Sequence, residues 1–272
     1  MLRGSRAIWN YFAGSIISHQ EKSGVSGVSG QAEKYYRAAA EAAPTLSWLY
    51  KLGNHAQVAI ADAVTTSEAI QLDGIEARLI SLGVMHNRDY DKIESKIRFG
   101  ISGESDFESA HRTLGELLGF SAGKIETSGS PDPWWRLGGE GVWVFEDHVG
   151  AQSTSKLSVT KARQAATHEN WIRANQIAPA DMPVVQILIT PVLKTEFGAL
   201  CHLHDVKVWT LSDFRNWVET ALSTLRELRR TLSEQGDLVW RAEALRVLRE
   251  RRLTSELMVA DLPNGNDVLV ES

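Results

Sequence analysis

The sequence predicts a mixed α/β fold: a small mixed sheet flanked by helices, with further helices added at both ends. Three observations predict it. An apolar stripe at helical spacing runs through Phe107, Ala110, His111, Leu114, Leu117 and Leu118. Two apolar runs follow, Val142–Phe145 beyond a Gly138-Gly-Glu-Gly141 turn and Val184–Thr190, each the length of a buried strand. A long amphipathic helix then carries Phe214, Trp217, Val218, Ala221, Leu222, Leu225, Leu228 and Leu232 on one side.

The elements divide the chain into five stretches. Residues 1–30 form a weakly specified N-terminal segment ending in a Gly/Ser repeat, Ser23–Gly30, which reads as a linker. Residues 31–100 are a helical region: 31–50 is rich in strong helix formers, Pro44 breaks it, and His55–Leu82 is again helix-like. Residues 101–214 form the core. Ser105 and Glu108 have the spacing of a capping box, and Gly119 is placed to stop the helix they open. A strand, a Gly-rich turn and a second strand through His148 come next, and Lys156–Asn175 reads as a helix entered near Ser158 or Thr160. Ala199–Trp209 alternates enough for one or two more strands. Asp213 is placed to cap the long helix of an Arg-rich region, 215–252, in which a second helix follows Gly236. Residues 253–272 are an acidic, turn-rich tail, expected to be loosely held.

The chain has 272 residues and a formal net charge of −5. That charge is unevenly spread: net +1 over residues 1–100, −5 over 101–214, +3 over 215–252 and −4 in the tail. The total therefore does not exclude a nucleic-acid partner. The lone cysteine, Cys201, excludes an internal disulfide and a cysteine-based zinc finger. No apolar run approaches the roughly 20 residues of a bilayer span, and the basic start is followed by no adequate signal core. The expected location is the cytoplasm.

The hairpin predicts a site. With the turn centred on Gly139, Asp132 falls opposite Glu146 on one face, and His148 shares that face two residues on. Asp147 points to the other side and offers its backbone carbonyl. Two carboxylates on neighbouring strands repel unless a cation lies between them, and such oxygen ligands suit Mg²⁺ or Mn²⁺. Carboxylates beside His148 should raise its pKa.

Pro131-Asp132 followed by Glu146-Asp147-His148 resembles the PD-(D/E)XK nucleases, the restriction-endonuclease-like superfamily, over about residues 100–215. Leu114–Phe120 and Pro131–Trp135 are similar to nuclease domains that accompany bacterial helicases in defence or DNA processing. The resemblance implies a restriction-endonuclease-like core, with Asp132, Glu146 and the Asp147 carbonyl on Mg²⁺ or Mn²⁺. His148 stands where the family has lysine, and Lys156 or Lys161 is a candidate for the missing charge. Gln164, with His168 one turn on, resembles the Gln-x-x-x-Tyr element of the RecB-like branch with its Tyr replaced. The implied activity is hydrolysis of DNA phosphodiesters, with Asp132, Glu146, His148 and Gln164 as catalytic candidates and a helicase or other defence subunit as partner. Glu108 and His168 are outer candidates. The alternative is a catalytically degenerate nuclease fold that binds nucleic acid or scaffolds a defence complex; under either reading a homo-oligomer is possible.

Lys156, Lys161 and the row Arg215, Arg226 and Arg229, which share one helix face, are the candidate phosphate contacts; a solvated charged face is the competing reading. Trp134, Trp135 and Trp171 could stack on bases, although core packing suits most of the nine tryptophans. His111, on an apolar stripe, reads as a core histidine. Cys201, His202 and His204 do not share one strand face, which argues against a zinc site. A phosphate-binding Gly-x-x-x-x-Gly-Lys-Ser/Thr loop is absent.

Overall fold

The computed structural model describes residues 3–23, 30–54, 64–83, 88–103, 105–125 and 130–272. Most of the Gly/Ser linker and the first part of the His55–Leu82 segment lie outside these. The chain forms two compact units, Met1–Ala63 with Leu232–Arg246, and Val64–Thr231 with Val247–Ser272. The 31–100 region is thus divided, and so is the Arg-rich stretch.

The first unit is helical. α1 (Arg3–Lys22) packs on α2 (Gln31–Ala42), and α2 on α3 (Ser47–Asn54), with Pro44 in the break as expected. Residues 1–30, weakly specified by sequence, therefore hold a 20-residue helix. Its buried side is built from small residues: a Cβ on Gly14 would press on the Tyr36 ring. Ala39, Ala40, Trp48 and Leu49 form the core, with Tyr11 edge-on to Trp48. Asp237, its side chain fully buried, accepts from the Val239 and Trp240 amides and pairs with Lys51 at 2.9 Å.

The second unit contains α4 (Thr66–Ser81), α5 (Asp89–Ser102), α6 (Phe107–Leu117), β1 (Ser121–Gly123), β2 (Trp134–Leu137), β3 (Gly141–Asp147), β4 (Lys156–Leu157), α7 (Val159–Ala174), β5 (Val184–Thr190), β6 (Lys194–Thr195), β7 (Val206–Thr210) and α8 (Leu211–Thr231). α9 (Leu238–Glu250) leads into α10 (Ser255–Ala260), α11 (Gly265–Val268) and β8 (Val270–Glu271). The main sheet has the order β1-β2-β3-β5-β7, antiparallel up to β3 and parallel from β3 onward. It is a mixed five-stranded sheet flanked by helices. β4, β6 and β8 make a small parallel sheet.

β3 is buried on both faces along its whole length. Val142 and Val144 pack with Ile172 of α7, whereas Phe145 meets His111 of α6. Even-numbered β3 residues therefore face α7 and odd-numbered ones face α6 and α8. The hairpin register is the expected one: Trp134 pairs with Val144 and Leu137 with Gly141, about a centre at residue 139. Gly138 supplies the left-handed φ that the turn requires.

Several local expectations are corrected. α6 is entered from Asp106 without a side-chain cap, and Glu108 pairs with Lys124 instead of closing a capping box on Ser105. A complete capping box sits at α4, between Thr65 and Glu68. α8 begins at Leu211, and Thr210, not Asp213, accepts the first-turn amide, that of Asp213 at 3.2 Å. Leu200–His202 is a 3₁₀ turn rather than strand, so Ala199–Trp209 yields one strand. The tail is held in place: Leu262 and Leu269 are buried, Val208 donates to the Pro263 carbonyl, and β8 pairs with β6. Its apolar residues, nine of its twenty, outweigh its four acids.

Gly119 ends α6 at φ +89°, and a Cβ there would overlap the Gln71 carbonyl oxygen of α4. Left-handed strain and overlap with backbone add, so Gly119→Ala is expected to lower stability by about 2–4 kcal/mol. Urea denaturation checks this; a loss under about 0.5 kcal/mol would mean that α4 and the α6 terminus separate freely.

Candidate active site

The candidate residues gather where β3 ends. Asp132 lies just before β2, half-buried, and its Oδ2 accepts the Asp147 amide at 2.7 Å. That bond follows from the hairpin: Phe145 donates to the Pro133 carbonyl, and Asp132 donates to the Phe145 carbonyl. Burial, and then the charges of Asp147 and Glu146, push the Asp132 carboxyl up to about 8.

Glu146, fully buried, points toward α7. Its Oε2 meets His168 Nε2 at 2.6 Å, and its Oε1 accepts from Lys161 Nζ. Burial alone would raise its pKa, but the hydrogen bonds from His168 and Lys161 outweigh burial and hold it below the ordinary glutamate value. The Ser158 side chain caps α7 by accepting the Lys161 amide, which fixes where the helix begins. Lys161, Gln164 and His168 then fall at i, i+3 and i+7 on one face. Lys161 also reaches Gln164 Oε1 at 3.5 Å.

Asp147 takes the other face, as its parity requires. Both its oxygens lie about His111 Nδ1, at 3.0 and 3.1 Å, and both side chains are wholly buried. Burial raises the Asp147 pKa despite His111. His111 is thus a core histidine with a defined partner. Adjacent residues of one strand each hold a buried carboxylate–imidazole pair, one on either side of the sheet.

His148 follows β3. Its amide donates to the Ile189 carbonyl, and its Nδ1 lies 3.2 Å from Thr190 Oγ1. Thr190 Oγ1 also accepts the Val192 amide. The expected rise in the His148 pKa is reversed: burial and the Lys161 charge lower it, against the opposing pull of Glu146. His148 is a neutral imidazole at pH 7.

The other candidates fall elsewhere. Glu108 raises the Asp132 pKa from a distance while paired with Lys124. Lys156 donates to the Ser272 carbonyl. The Arg row serves the fold of its own unit. Arg215 donates to the Ile101 and Ser102 carbonyls, and Arg226 binds Glu94. Arg229 is almost fully buried over the Tyr90 ring, 4.6 Å from its centroid. Trp135 is in the core, and Trp134 and Trp171 pack around Val142, Val144 and Ile172. Cys201 is exposed, and His204 bonds Asn266. The heptad spacing of Lys161 and His168 puts them on one helix face but does not point to Glu146 as their partner; the His111–Asp147 pair had no signal beyond an apolar stripe.

The donor set suits a hard divalent cation in part. Among the described residues, no group of three or more His, Cys, Asp or Glu is placed to share an ion. Mg²⁺, however, commonly keeps several waters and takes only one or two carboxylates. Asp132 and Glu146 are two such groups, and the Asp132 pKa is raised first by burial and then by the charges of Asp147 and Glu146. Both Glu146 oxygens are already engaged, by Lys161 and His168, so an ion held there would have to share that carboxylate with them.

The fold and site define an α/β protein with a carboxylate–lysine–histidine cluster at the end of its central strand. The chain matches no family model, no curated protein and no solved structure.

Proposed function

We propose that this chain is a divalent-metal-dependent nuclease that hydrolyses DNA phosphodiester bonds, with a helicase or translocase as its working partner in defence or DNA processing. The observation that carries the reading is the Lys161 ammonium on the Glu146 carboxylate at the end of β3, with Asp132 bonded to the next amide of that strand. An aspartate, a glutamate and a lysine are the groups that the motif resemblance implies, with the lysine supplied by α7 rather than by position 148.

Asp132 and Glu146 would hold Mg²⁺ or Mn²⁺, which when bound polarises a phosphoryl oxygen and lowers the pKa of a coordinated water. Lys161 stabilises charge developing on the phosphoryl oxygens while fixing the Glu146 rotamer. Gln164 orients Lys161. His168 holds the second Glu146 oxygen. His148, neutral at pH 7, has the protonation state of a general base, and in the tautomer that donates Nδ1–H to Thr190 its Nε2 is free to take a proton from water.

The test is cleavage of single- and double-stranded DNA with Mg²⁺ or Mn²⁺. Glu146→Gln and Lys161→Ala are each expected to lower the rate by about 10²–10³-fold, and EDTA to abolish it. Equal cleavage by Glu146→Gln, or none by the native chain with either metal, would overturn the reading. The engagement of both Glu146 oxygens favours a second reading, a nuclease-like module that binds nucleic acid without cutting; DNA retained by a chain that never cleaves would establish it.

A further inference from the structure

α1 is apolar on two sides. One side packs on α2 through Ala7 and Gly14, with the Tyr11 ring 6.2 Å from that of Tyr36. On another, Ile8, Trp9, Phe12 and Ile16 are 55, 70, 51 and 60% exposed. At 100° per residue these four fall within an arc of about 100° that turns away from Ala7 and Gly14. A helix resting on a lipid surface opposes its apolar stripe with a broad charged face. α1 instead has a packed face and only two basic residues in its first turns, Arg3 and Arg6. A helix that is apolar on more than one side belongs inside protein.

Ile8, Phe12 and Ile16 form an i, i+4, i+8 ridge, the kind that interdigitates in the commonest class of helix crossing. That ridge is symmetric about Phe12. Two antiparallel copies related by a two-fold axis bring Phe12 against Phe12 and Ile8 level with Ile16, and every residue of the stripe is used twice. Four side chains of this size cover roughly 1,000 Å² over both copies, the lower end of what holds a specific dimer.

We infer that α1 is a self-association surface: the Ile8–Trp9–Phe12–Ile16 stripe docks against the same stripe of a second copy of this chain, antiparallel, with Phe12 on the axis. This is independent of the cleavage reading.

The test uses the full chain. Light scattering after size exclusion, from about 1 to 100 µM, is expected to show a monomer–dimer equilibrium, the weak affinity a small interface carries. Phe12→Arg places two like charges on the axis and is expected to weaken the dimer at least about 100-fold, with unchanged circular dichroism because Phe12 is exposed. In a Cys201→Ser background, Phe12→Cys is expected to form a disulfide dimer under mild oxidation, since only an axial residue meets itself. Asn10→Cys, off the stripe, is not. A monomer at all concentrations, a dimer that survives Phe12→Arg, or equal cross-linking at positions 10 and 12 would overturn the inference. So would a monomer that Phe12→Arg releases from vesicles containing anionic lipid, which would assign the stripe to a membrane.

Discussion

His111→Leu is expected to destabilise the protein by about 3–5 kcal/mol, the cost of leaving one member of a buried pair without its partner. His111 and Asp147 are both fully inside the sheet–helix interface, ringed by Trp135, Phe145 and Phe214. With the imidazole gone, the Asp147 carboxyl loses the side chain that binds it, and burial, which already raises its pKa, then acts without that compensation. Asp147→Leu alone leaves the imidazole unpaired and is expected to cost less, because an unpaired imidazole is cheaper to bury than an unpaired carboxylate. The double variant His111→Leu/Asp147→Leu is expected to recover most of the loss, since apolar replacement of both members is often neutral or stabilising. Urea unfolding of the four proteins closes the cycle. Additive losses in the double variant would show that the pair is not coupled, and that Asp147 is stabilised by something other than His111.

Asp132→Asn is expected to stabilise the protein at alkaline pH and to remove much of its pH dependence between about 4 and 8. The folded pKa of about 8 lies above the ordinary value of 3.8. The folded state therefore keeps a proton that the unfolded chain has released. Stability from this group is intact below about pH 4 and is lost as pH rises to about 8. At about 1.4 kcal/mol per pKa unit the ceiling is roughly 6 kcal/mol, and partial exposure brings the expected loss to about 2–4 kcal/mol. Asn retains an oxygen for the Asp147 amide, so the native bond survives the substitution. Mg²⁺ at pH 8.5 is expected to raise the melting temperature of the native protein and to leave Asp132→Asn unchanged, because an ion replaces the missing proton only where the carboxylate is present. If Asp132→Asn melts with the native pH profile, neither burial nor the neighbouring Asp147 and Glu146 charges raise this carboxyl.

The geometry of the β2–β3 hairpin was legible because a glycine turn fixes a centre and strand parity then assigns every facing pair; the Trp134–Val144 pairing and the placement of Asp132 beside the end of β3 follow from it. The start of α7 was legible to within two residues, since Ser158 and Thr160 could each accept an amide there, and Ser158 is the one that does. What lay beyond reach was the assignment of partners in space. Nothing local says that Lys161 and His168 lie over Glu146, because that depends on the crossing of α7 over β3. The Arg215, Arg226 and Arg229 row illustrates the same limit: spacing places them on one face, but only the docking of α5 shows that carbonyls, Glu94 and Tyr90 receive them. The tail misled through its charge, where four acids obscured the apolar residues that anchor it.

The opposite facing of Glu146 and Asp147 has a consequence for cooperativity. β3 cannot be half-covered at low cost: docking α6 without α7 leaves Glu146 without its cation and imidazole, and docking α7 without α6 strands Asp147. The two helices are thereby tied to one event although they never share a face. Partial opening of either layer exposes a charge whose partner lies in that layer, so the amides of β3 should exchange with solvent only when the whole sheet comes apart. A strand with one carboxylate per side thus makes a three-layer unit unfold as one.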